Sequence, residues 1–115
     1  MKTLQRNFFM KPLIQFLYFE GCPNATASLD NLRSAMLELQ LPSDILQIIN
    51  VDIESTAQYN FQGSPTILVN GVDIYTDTIP DSVHFTCRIY EFENKKTGII
   101  PKDYIKQKLH HYLNC

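Results

Sequence analysis

Between Arg33 and Arg88 the chain carries no lysine or arginine, while Glu38, Asp44, Asp52, Glu54, Asp73, Asp77 and Asp81 all fall there. With a formal net charge of -2 over 115 residues, no basic footprint for nucleic acid remains. A phosphate or arsenate bound in that interval would lack a cation, and no glycine-rich loop exists to cradle one. No apolar run approaches the roughly 18 residues that a membrane span needs. In MKTLQRNFFMKPLIQFLYF, Lys11 and Pro12 split the best candidate, and no small-residue cleavage site follows. There is no CxxC pair and no Cys/His cluster at zinc spacing, so neither a metal nor a cofactor is expected. Three cysteines, an odd number without a leader, point to free thiols in a reducing, cytoplasmic setting.

What is present is 44% hydrophobic, enough to bury a core without staples, and the length fits one domain over 1–115 with 1–12 as an N-terminal extension. LIQFLYF (13–19) reads as a short strand buried on both faces and closed by Gly21. From Asn24 to about Leu41 the period becomes helical, with Leu29, Leu32, Met36 and Leu39 on one stripe and Pro42 beyond it. ILQIINV (45–51) is a second strand, and 54–61 a short helix broken by Gln62-Gly63-Ser64-Pro65. Asn70-Gly71 joins two strands in TILVNGVDIY, the strongest short hairpin signal. TDTIPDS (76–82) is a loop, VHFTCRIYEF (83–92) a strand or extended edge segment, and ENKKTG a polar turn. The closing helix places Ile105, Leu109, Tyr112 and Leu113 on one face and takes Pro101 as its first residue. The order β-α-β-α-β-β-(extended)-α predicts an α/β, thioredoxin-like fold: a mixed four- to five-stranded sheet with helices on both faces.

The chemistry centres on YFEGCPNATAS (18–28). Cys22 stands where a strand hands over to a helix, and free N–H groups and the positive dipole end there favour a thiolate. Pro23 suits the first turn. The dithiol partner position is Ala25, and the position of a buried thioredoxin acid is Phe16, so a dithiol reductase cycle is not expected. GSPT (63–66) precedes the third strand; a cis bond at Ser64-Pro65 would turn the Ser64 backbone toward Cys22, and Thr66 completes that candidate wall. Cys87 is the candidate resolving or metal-sharing thiol. Cys115, His84, Glu20 and the His110-His111 pair read more simply as surface groups.

YFEGCPNA, GSPTILVNGVDIY, CRIY and PKDYIKQKL together resemble the small thioredoxin-like proteins described as the DF family, some of them selenoproteins, or as alkylmercury-lyase-like. The resemblance covers roughly residues 13–113. It implies Cys22 as redox residue, Pro65 as cis-proline and Cys87 as the start of a CR-x-Y segment, and implies the fold more than a substrate. The expected activity is thiol-dependent oxidoreduction through one helix-N-terminal cysteine, acting on a disulfide, peroxide or mixed disulfide that a protein can carry. The alternative is a non-catalytic thioredoxin-fold binding module, or a thiolate site for soft mercury or copper.

Overall fold

A computed structural model describes residues 11–114. Its elements are β1 (Ile14–Tyr18), α1 (Ala25–Glu38), a 3-10 turn (Ser43–Ile45), β2 (Leu46–Asn50), α2 (Thr56–Tyr59), β3 (Thr66–Val69), β4 (Val72–Asp73), β5 (Tyr90–Phe92), β6 (Lys95–Thr97) and α3 (Lys102–Leu113). One mixed sheet has the order β2-β1-β3-β4: β1 runs parallel to β2 and antiparallel to β3, and β4 closes the hairpin. The architecture is α/β, and no described helix is long and apolar enough to cross a membrane.

The central strands are apolar because both faces are covered. Ile14, Phe16, Ile67 and Val69 face α1 and α3, where Leu32, Ala35, Met36, Ile105 and Leu109 close the larger core. Leu17, Ile49, Val51, Phe61 and Leu68 form a second cluster on the other face, with Tyr59 of α2 packed against it. The two long helices thus share a face, and among the described helices the single turn of α2 lies on the other.

Helix α1 stops three residues short of Leu41 because Gln40 turns left-handed at φ 58°. The Leu41 N–H donates to Met36 O and the Gln40 N–H to Leu37 O, the paired bonds that satisfy a helix's last carbonyls. Asn70 and Gly71, at φ 51° and 86°, make the tight hairpin turn their sequence announces. Pro101 is the cap of α3 rather than its first helical residue, and its carbonyl accepts from Ile105 N–H.

The region 83–97 departs from the sequence reading. Residues 83–89 form no strand; a single bridge pairs Cys87 with Ser64. The polar stretch is no simple turn, because Lys95–Thr97 folds back on Tyr90–Phe92 as a separate two-stranded sheet. Glu93 and Asn94 at φ 52° and 68° supply that reversal without a glycine. Among the described residues the sheet of four strands therefore gains no fifth.

Candidate functional site

The first turn after β1 sets the position of Cys22. Its N–H donates to Phe19 O (3.2 Å), closing a turn over Glu20 and Gly21, with Gly21 at φ 87°. Its carbonyl accepts from Ala25 N–H (3.3 Å), so the residue feeds directly into α1. The cap position, Asn24, makes no side-chain cap bond, and no acid stands in the first turn. The positive end of the helix therefore faces Cys22 without a competing side-chain anion from its own first turn. Cys22 is 9% exposed and borders the larger core, between exposed Gly21 and Pro23.

A second turn meets the first. The Ser64-Pro65 peptide is cis. Ser64 Oγ accepts from Phe19 N–H (3.2 Å), so one hydroxyl ties the proline loop to the residue whose carbonyl holds Cys22. Pro65 is buried and its carbonyl accepts from the Tyr90 hydroxyl at 2.5 Å.

Ser64 was expected to offer its backbone to an extended substrate, but both its backbone groups are already used. Its N–H donates to Thr86 O and its carbonyl accepts from Arg88 N–H, each at 2.9 Å. The chain's own segment 86–88 lies along that edge. Gly63 permits the approach: at φ 107°, an added Cβ would sit 3.0 Å from Thr86 O and 3.1 Å from Arg88 Cβ. Thr66 likewise points inward; its hydroxyl donates to Gly63 O and accepts from Arg88 Nη1.

Arg88 anchors the segment from below. Its Nη1 lies 2.8 Å from Asp73 Oδ2, with the two side chains 11% and 1% exposed. That carboxylate oxygen has charge compensation but no hydrogen bond among the described residues, while the same guanidinium nitrogen donates to the Thr66 hydroxyl. Asp73 Oδ1 accepts from Tyr75 N–H. The guanidinium also lies over the rings of Tyr90 (4.8 Å) and Tyr75 (5.5 Å). Burial pushes the Tyr90 hydroxyl well above the usual tyrosine range, so it remains a donor.

Sequence reasoning missed Asp73, Tyr75 and Tyr90. Their signals were an acid inside an otherwise apolar hairpin strand and the first cation after a gap of more than fifty positions. Cys87 and Cys22 are both free thiols, but their settings differ: Cys22 is buried and Cys87 exposed. Arg88 and Tyr90 turn inward, and Cys87 remains outside beside Ser64. His84 bonds Ser82 Oγ and donates its N–H to Phe61 O, and Glu20 accepts from Asn50 Nδ2. Among the described residues no three His, Cys, Asp or Glu side chains gather to hold a metal. Cys115 and residues 1–10 lie outside the described residues. No family model, curated protein or solved structure matches the chain.

Proposed function

We propose that the chain is a thioredoxin-like, thiol-dependent oxidoreductase of the DF or alkylmercury-lyase-like kind, with Cys22 as its nucleophile. The observation that carries this reading is the pair of linked turns: Cys22 N–H on Phe19 O, and Phe19 N–H on the Ser64 hydroxyl of the cis-proline loop. Pro23 and Pro65 shape the approach, and Ser64 and Thr66 hold the loop. Because the Ser64 backbone is already paired, the substrate class is a small disulfide rather than an extended peptide.

The Cys22 thiolate attacks one sulfur of a disulfide RSSR; the S–S bond breaks and RS⁻ leaves with its electron pair. The resulting Cys22–S–S–R is attacked at the R sulfur by an external thiolate R′S⁻. Cys22 thiolate is released and RSSR′ forms, so R′SH supplies the electrons that reduce RSSR. The second thiol is external in this reading; Cys87, exposed and bridged to Ser64 beside the Cys22 turn, is the internal alternative. Cys87→Ser therefore retains turnover with a small thiol, whereas Cys22→Ser abolishes it, measured as loss of a chromogenic small disulfide. Turnover that stops at the mixed disulfide in Cys87→Ser would make Cys87 the resolving thiol.

The second reading, a non-catalytic binding module, is favoured by one observation: the 9% exposure of Cys22. A merely packed cysteine reacts only when the chain unfolds.

A further inference from the structure

We infer that the outer edge of β2 is the interface of a two-fold dimer, in which two copies pair antiparallel and continue one sheet into the other. Among the described residues strand β2 ends the sheet order, with β1 as its only neighbour in the sheet. The Val51 N–H donates inward to Tyr18 O, so residues of the other parity, Ile48 and Asn50, turn their N–H and C=O groups outward. Edge strands are normally blunted by lysine, proline, bulges or a covering element. The sequence LQIIN has none of these charges or breaks.

The flank of that edge is apolar as well. Two grooves between α1 and β2 meet at Ile48, one of about 320 Å³ beside Leu37, Leu41 and Leu46, the other beside Tyr18 and Leu29. Leu37 is 78% and Ile48 40% exposed there.

Charge selects a second copy as the occupant. At the Leu46 end stands Arg33, which lines the groove and forms no ion pair among the described residues. At the Asn50 end stand Glu20, bonded to Asn50 Nδ2, and exposed Asp52 and Glu54, none of them ion-paired with a cation among the described residues. Antiparallel pairing centred on Ile48 sets Leu46 opposite the partner's Asn50. Each basic end then meets an acidic one, twice by symmetry. The two Ile48 side chains become cross-strand neighbours.

Sedimentation velocity of the purified chain, from about 5 to about 200 µM, tests this. The native chain is expected to form a dimer within that range. Ile48→Lys and, on a helix surface where folding is not at stake, Leu37→Lys are expected to sediment as monomers. Arg33→Glu is expected to weaken association at least about tenfold, and Arg33→Glu with Glu20→Arg to restore it. A native chain that stays monomeric throughout overturns the inference, as does a dimer indifferent to both lysine variants. A charge swap that fails to restore what Arg33→Glu removes overturns the antiparallel register.

Discussion

Arg88 shows how much one side chain decides in this fold. It pairs with Asp73, donates to Thr66, and lies over two tyrosine rings, while its own N–H holds the Ser64 carbonyl. Removing one member of such a buried pair strands the other charge, at a cost of about 3–5 kcal/mol. Arg88→Ala is therefore expected to lower the chemical-denaturation stability by about that amount, and Arg88→Met with Asp73→Leu to recover most of it. At the surface the effects are smaller and depend on pH. The Tyr112 hydroxyl and then Lys108 hold the Asp77 carboxyl below the usual aspartate range; burial partly opposes them. The contribution is present above the ordinary aspartate range and lost as pH falls through the lowered value, below about pH 4. Asp77→Asn should flatten that acid limb, seen as a melting temperature that falls less between pH 5 and pH 3. The effect stays at roughly 1 kcal/mol or less because the pair is exposed. The place of Cys22 between strand and helix and the cis bond at Ser64-Pro65 were legible from the residues beside them. The Arg88–Asp73 pair was not, since sequence shows charges but not which loop returns to meet them.

At the scale of elements, most of the order was legible because periodicity reports burial directly. The two-face apolar β1, the stripe of α1 and the Asn70-Gly71 hairpin each carry their own local signal. The stretch 83–97 does not, because its conformation is set by partners far away. Ser64 pairs with Cys87, the Tyr90 hydroxyl reaches Pro65, and Glu93 and Asn94 reverse the chain without the usual glycine. Gly63 is the element-level hinge of this arrangement. Gly63→Ala puts a Cβ against Thr86 O at a left-handed φ, and is expected to destabilise the chain by about 1–3 kcal/mol. The same variant should speed hydrogen exchange at the Ser64 and Arg88 amides, whose bonds hold the segment. Unchanged exchange there would show that 86–88 does not depend on the glycine.

At the scale of the molecule, α1 and α3 lie on one face, joined at the surface by Glu38 with Lys102 and Lys106. The sheet ends on one side in β2, whose apolar edge the proposed dimer covers, and on the other in the β4 hairpin, whose Asp73 underlies the candidate site. The central claim is that this frame activates one sulfur rather than merely packing it. The direct measurement is the rate at which Cys22 exchanges with a small aromatic disulfide in a Cys87→Ser, Cys115→Ser chain, compared at pH 7 between the folded state and the chain unfolded in urea. The account predicts faster exchange in the folded chain, by about tenfold or more, with the adduct released by added thiol. Exchange that proceeds only on unfolding would contradict it and leave a binding scaffold.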